Sequence, residues 1–281
     1  MCGVIDIESI NYPPLLKTIP SPPKLLYYIG SWQTGTFSNC LAVVGSRKMS
    51  PYGKKVIEHL FSTLSKSITI VSGFMYGVDA EAHNRAIEKG LKTVAVLPWG
   101  IDLDYPEDQK LLSQEILDSD GLIISEYPGA FAPRNWTFSK RNRIVAGLSK
   151  AILVIEAAKK SGSLITAHLA RQYQRQVLAI PGSIFSQVSD GCLQLIKSFA
   201  KPISSGLEIN DIMNVRQIPL LTSDKNSYFK NEILDVLKTG SYTIDELSVC
   251  LSMSISDLSS KITLLCLNGL VTEKEGRFYA C

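Results

Sequence analysis

Six short, nearly continuous apolar runs recur between residues 41 and 181, and no other feature of the chain limits its fold as much. They are LAVVG (41–45), ITIVSG (68–73), TVAVLP (93–98), LIISE (122–126), AILVIEA (151–157) and QVLAIP (176–181). Rich in Val and Ile and without polar alternation, they read as strands buried on both faces. Helical stretches lie between them. In 53–65, Val56, Ile57, Leu60, Phe61 and Leu64 recur at helical spacing, and 78–89, 107–118, 142–149 and 163–174 continue the alternation. Strand–helix alternation at this spacing predicts an α/β, doubly wound parallel sheet with helices on both faces. Right-handed crossovers then put every strand C-terminus on one edge, where such sheets bind ligands.

Residues 1–37 break this rhythm. Their Pro and Tyr content (YPPLL, IPSPPKLLYYIG) predicts an extended arm packed on the body through Tyr27, Tyr28 and Trp32, since the prolines disfavour a regular helix. The sheet domain is expected over 38–207 and a linker over 208–226. A small helical module then spans 227–281, with helices at 227–238, 243–250 and 254–268 and a hairpin turning at Glu275-Gly276. Three helices and a terminal hairpin suggest a winged-helix domain.

Composition narrows the class. No run approaches the ~18 apolar residues of a membrane helix, and the N-terminus lacks a secretory pattern, so no membrane association is expected. Six scattered cysteines, none in a CxxC pair, and three histidines give no zinc-ligand spacing. They read as reduced cysteines of a cytoplasmic protein, with no metal and no cofactor expected.

Charge is unevenly distributed. Between Arg134 and Arg175 stand nine basic residues and one acid, a net +8 in a chain whose total is +3, which leaves −5 elsewhere. That concentration suits a polyanion. The strand ends supply matching motifs. After the first strand, Gly45 permits a sharp turn, Ser46 offers hydroxyl and amide, and Arg47 can grip an anion. Ser50-Pro51 then starts a helix whose free amides favour an anion. Ser72-Gly73 repeats the pattern at the second strand. Asp79 and His83, one helical turn apart, can form an acid–base dyad or serve as a first-turn acid and a packed core histidine. The first-turn position favours the second reading. Lys140, Arg141, Asn142 and Arg143, with Phe138 and Trp136 near, suit backbone contact plus base stacking. Lys159, Lys160, Ser161 and Gly162 read as a phosphate cradle at a helix start. Glu126 and Glu156 sit at strand ends and are read as orienting nearby arginines rather than as catalytic groups. No Walker A loop or dinucleotide fingerprint occurs.

Taken together, VVGSR, SGxxxGVDAEAH, YP (105–106), SEYP, FxxRNRIVAGLS, EAxxKSGSLITA and IPG with DGCxxLI (190–196) resemble the DprA/Smf family (DNA processing protein A), over about residues 12–207. The resemblance implies an extended Rossmann-like fold, single-stranded DNA bound in a basic pocket, homodimerisation, and loading of the RecA recombinase in natural transformation or recombination. It implies DNA contacts at Gly45, Ser46, Arg47, the Lys140–Arg143 block and Lys159–Gly162. Three positions depart from the family pattern. Tyr76 replaces an Arg and is a candidate for base stacking, Leu193 replaces an Asn, and Trp99 replaces a small residue.

The expected function is a non-enzymatic single-strand-binding protein without catalytic residues. The alternative is a nucleotide-hydrolysing enzyme on a related fold, such as a nucleotide phosphoribohydrolase. That family's PGGxGTxxE motif carries a catalytic Glu, where this chain has KSGSLITAH with Ala167 and His168. Residues 225–281 hold six basic and seven acidic side chains. That balance is too acidic for a duplex-reading helix, so the module is expected to mediate protein contacts or self-association rather than duplex binding.

Overall fold

The computed structural model describes residues 2–103, 105, 107–215, 233–251, 253–267, 270–274 and 276–280. The chain divides into two compact units, Met1–Gln217 and Ile218–Cys281.

The first unit is built on a nine-stranded sheet of order β1-β2-β6-β5-β4-β3-β7-β8-β9. Its strands are β1 (Cys2–Asp6), β2 (Leu25–Gly30), β3 (Cys40–Val44), β4 (Thr69–Ser72), β5 (Lys92–Gly100), β6 (Leu122–Tyr127), β7 (Ala151–Val154), β8 (Gln176–Ala179) and β9 (Lys201–Pro202). From β3 to β9 all neighbours pair in parallel. The six apolar runs are therefore the six central parallel strands. Their side chains divide by pleat. Cys40, Ala42 and Val44 of β3 enter one core layer, while Leu41 and Val43 enter the other.

Helices cover both faces. α1 (Pro14–Lys17), α5 (Asn135–Leu148), α6 (Gly162–Gln172) and α7 (Asp190–Ser198) contribute Leu16, Ile144, Ala167 and Leu195 to the first layer. α2 (Pro51–Phe61), α3 (Val78–Glu88) and α8 (Gly206–Ile212) contribute Ile57, Leu60, Ala82 and Ile209 to the second. α4 (Glu107–Asp118) packs Leu112 and Ile116 over the β5–β6 end.

Residues 1–37 differ from the expected arm. β1 pairs antiparallel with β2, and β2 pairs antiparallel with β6, so this segment extends the sheet itself. The prolines fall between the strands, and Pro14 opens the single turn of α1, where its missing N–H costs nothing. Of the residues expected to dock the segment, Tyr28 and Trp32 pack against the first core layer and Tyr27 against the β5–β6 cluster.

In the second unit, residues 233–237 are helical, and the helices Ile244–Leu251 and Ile255–Leu267 precede the antiparallel pair β10 (Val271–Lys274) and β11 (Arg277–Ala280). Leu237, Leu247, Leu258, Ile262 and Val271 form its core. Residues 216–226 of the expected linker, 227–232 of the first expected helix, Pro106 and Glu275 lie outside the described residues. No described helix is long and apolar enough to cross a membrane.

Candidate nucleic-acid interface

The strand order reverses at β3. From there the sheet grows through β4, β5 and β6 on one side and through β7, β8 and β9 on the other. The loops leaving β3 and β7 diverge to opposite faces at this point and leave a crevice beyond the strand C-termini. A cavity of about 470 Å³ fills that crevice. Gly45 and Arg47 come to it from β3, Gly73 and Met75 from β4, and Ser161 and Gly162 from the start of α6. The first turns of α5 supply one wall with Asn135, Phe138, Ser139 and Asn142. The Asn142 amide donates to the Gly162 carbonyl oxygen at 3.4 Å and ties the two helices together at the rim.

The floor holds two buried side chains of opposite charge, Arg141 and Asp79. Arg141 is 4% exposed and Asp79 9%. The Arg141 Nη1 donates to the Val96 carbonyl oxygen at 2.7 Å, and its Nε has no partner among the described residues. Burial pushes the Asp79 carboxyl up to about 6, against the opposing pull of Arg141, Ser72 and Arg47. Burial likewise lowers Arg141 to about 10, against Asp79. Gly73 is what leaves room for both side chains. A Cβ there would lie 2.1 Å from Arg141 Nη1 and 2.5 Å from Asp79 Oδ2. Asp79 and His83 form no dyad. His83 is fully buried with Nδ1 2.7 Å from Thr93 Oγ1, and burial, then Arg141, lowers it to about 3.

The residues expected from sequence fall into three groups. Gly45, Arg47, Gly73, Phe138, Arg141, Asn142, Ser161 and Gly162 all line the cavity. Arg47 is exposed and lies 5.3 Å over the Phe138 ring, which holds the guanidinium at the mouth. Ser46, Tyr76, Lys159 and Lys160 stand outside the lining. Tyr76 is 45% exposed beside the β4 loop. Lys159 and Lys160 are exposed on the far side of the α6 start.

The third group corrects the expectation. Ser72 is fully buried and donates to the Val43 carbonyl oxygen at 2.6 Å, so it shapes the loop and presents nothing to a ligand. Arg143 is buried, with Nη1 donating to the Ser21 carbonyl oxygen at 2.7 Å and Nη2 to Glu126. Lys140 points the same way, 3.6 Å from Glu126 and over the rings of Tyr127 and Trp136. Helical geometry turns residues 140 and 143 away from the face of 138, 139 and 142. Glu126 thus orients basic side chains as read from sequence, but Glu156 does not. It is 2% exposed, accepts from the Ser50 backbone N–H at 2.9 Å and from the Ser50 hydroxyl, and occupies the α2 N-terminus. The anion expected at that helix start is the protein's own carboxylate.

The charge count also shrinks on folding. Lys150 bonds Asn39 at 2.7 Å and Arg175 bonds the Leu15 carbonyl oxygen at 2.9 Å, both at the strand N-terminal edge, opposite the crevice. Asn135, Ser139, Ser163 and Thr166 line the cavity without having been anticipated. For Asn135 and Ser139 the signal was a polar stripe at helical spacing, visible only once α5 begins at Asn135 rather than at 142, while Ser163 and Thr166 stand three apart on α6. Among the described residues, no cluster of His, Cys, Asp and Glu is placed to hold a metal.

Residues 3–216 match the family model of DNA recombination-mediator protein A. Protein Smf of Synechocystis sp. is 40% identical over 218 residues, 76% of this chain and 54% of that protein. DNA processing protein DprA of Streptococcus pneumoniae is 42% identical over 198 residues, 70% of each chain. Among solved structures, DNA processing protein A of Streptococcus pneumoniae superposes with a TM-score of 0.70 at 40% identity, covering 74% of this chain and 73% of its own. The Helicobacter pylori protein, whose structure describes a single-stranded DNA binding mode, superposes with a TM-score of 0.66 at 31% identity, covering 76% and 96%. The match spans the whole sheet unit, and the chain belongs to the DNA recombination-mediator protein A family.

Proposed function

We infer that the crevice at the β3–β7 switch point binds the backbone of single-stranded DNA, and that the protein is a non-enzymatic mediator that protects single strands and helps load the RecA recombinase. The observation that carries this reading is the mouth of the cavity. There the exposed Arg47 guanidinium, the Phe138 ring beneath it and the open Gly162 backbone face one space. A cation for phosphate and an aromatic face for a base are what sequence-tolerant single-strand binding needs. The family description and the Helicobacter pylori relative's single-stranded DNA binding mode support the ligand class. The single carboxylate among the lining residues, Asp79, is buried in the floor near Arg141, which supports a binding role over hydrolysis.

At the crevice the DNA-contacting set is then Gly45, Ser46, Arg47, Asn142, Ser161 and Gly162, with Phe138 and Tyr76 available to stack on bases, while Lys159 and Lys160 stand beyond the α6 start, outside the crevice, for a strand that continues past it. Homodimerisation, the cytoplasmic location and a winged-helix module for protein contacts complete the reading. In titrations of fluorescent oligonucleotides at several salt concentrations, the full chain is expected to prefer single strands to duplex of the same sequence by at least about tenfold. Deleting 218–281 is expected to leave single-strand affinity nearly intact. Equal affinity for duplex, or loss of most binding on deletion, contradicts the assignment.

A further inference from the structure

A second concavity of about 300 Å³ lies between α6 and α7, on the other side of the α6 N-terminus from the first. Ser161 and Ile165 line both spaces, so only the first turn of α6 separates them. That ridge is low. Gly162 is exposed, and a Cβ on it would meet nothing within 4 Å. Beyond the ridge, Lys159, Lys160, His168 and Gln194 line the groove and Phe199 closes it.

The chemistry of this groove is cationic and aromatic. Lys160 is exposed and has no ion-pair partner among the described residues. Lys159 faces only Asp190 at 3.8 Å, with its own side chain 76% exposed, a pairing that water screens. The Phe199 ring is contacted by His168, with centroids 5.5 Å apart, and by Arg171, whose guanidinium lies 4.4 Å over it. No acidic side chain is among the lining residues. From Ser161 to Arg171 the helix rises about 15 Å. At a backbone spacing of at least about 3.4 Å per nucleotide, that length spans about two to four nucleotides.

We propose that this groove is a second, contiguous subsite for the same single-stranded nucleic acid. The strand leaves the switch-point cavity over Gly162, sets a phosphate against Lys160, and lays a base against His168 in front of Phe199. The proposal rests on the single-strand reading of the first cavity. By contrast, the aromatic cluster around Lys140 has its cation consumed by Glu126 and its own rings.

The test uses the full chain and oligothymidylates of about 6 and about 20 nucleotides, which bracket a single subsite and both together. The double variant Lys160→Ala/His168→Ala changes two exposed side chains, and its melting temperature checks that the fold is kept. It is expected to bind the short oligomer within about twofold of wild type and the long one about tenfold more weakly, with a salt slope lower by about 0.7. Unchanged binding of the long oligomer overturns the second subsite, as does an equal loss at both lengths. Arg47→Ala separates the two readings. If Arg47→Ala weakens both lengths while the double variant weakens neither, the second subsite falls and the first stands. If the wild type binds neither oligomer, both fall.

Discussion

Two buried ionisable side chains beneath the cavity have opposite effects on stability. His83 is neutral in the fold, lowered to about 3 by burial and then by Arg141. In an unfolded chain it protonates near 6.5. Between those values the unfolded state binds the extra proton, so stability falls as pH falls, by about 1.4 kcal/mol per unit. Asp79 runs the other way. Burial raises it to about 6, above its unfolded value near 3.9, so the folded state binds the extra proton in that window and stability rises as pH falls. The wild-type profile between about pH 4 and 6 is therefore nearly flat from these two groups. His83→Gln removes the first contribution and leaves the second. In urea melts the variant is expected to gain on wild type by about 1 kcal/mol per pH unit below pH 6. Parallel profiles would show that His83 titrates normally in the fold. None of this is legible in sequence, because His83 meets Thr93 and Asp79 meets Arg141 only through the parallel pairing of β4 with β5 and the crossing of α5.

At the scale of elements, the parallel strands and the cores of most helices are legible because their side chains face the buried layers and carry the periodicity. What was missed faces something else. The first two turns of α5 show no apolar stripe because Asn135, Phe138, Ser139 and Asn142 face the cavity. β1 and β2 lie at the sheet edge, partly exposed and interrupted by the proline-rich turn, so they lack the continuous apolar run of the central strands. A count of cations cannot tell that Glu126 consumes Arg143 or that Arg141 is buried and bonded to the Val96 carbonyl oxygen. The start of α6 provides a test at this scale. Nothing in the fold touches a Cβ at position 162, so Gly162→Ala is expected to leave stability unchanged or raise it by up to about 1 kcal/mol. Single-strand affinity should fall about tenfold, because the methyl group stands where the backbone of the ligand passes. A variant that binds as wild type would remove Gly162 from the interface.

At the scale of the whole molecule, the proposed binding site lies where the strand order of the first unit reverses. Much of the first unit is a frame that brings the loops after β3, β4 and β7 to one cavity, with Arg141 and Asp79 buried at its floor. Within the basic block this separates cations that hold the frame from cations left for a ligand. Arg143 belongs to the frame. Arg143→Ala leaves Glu126 short of its buried partner and is expected to cost about 3 kcal/mol of stability. Arg47, exposed at the crevice mouth, is the cation that the proposed function assigns to the ligand. The decisive measurement is the salt dependence of single-strand affinity for wild type, Arg47→Ala and Arg143→Ala, each below its own melting range. Binding of single-stranded DNA in the crevice predicts that Arg47→Ala lowers affinity at least about tenfold and reduces the slope of log affinity against log salt by about 0.7, one phosphate contact on a single strand. Folded Arg143→Ala should keep the wild-type slope. An unchanged slope for Arg47→Ala, or a slope lost with Arg143→Ala instead, would contradict the placement of the DNA backbone at the β3–β7 crevice.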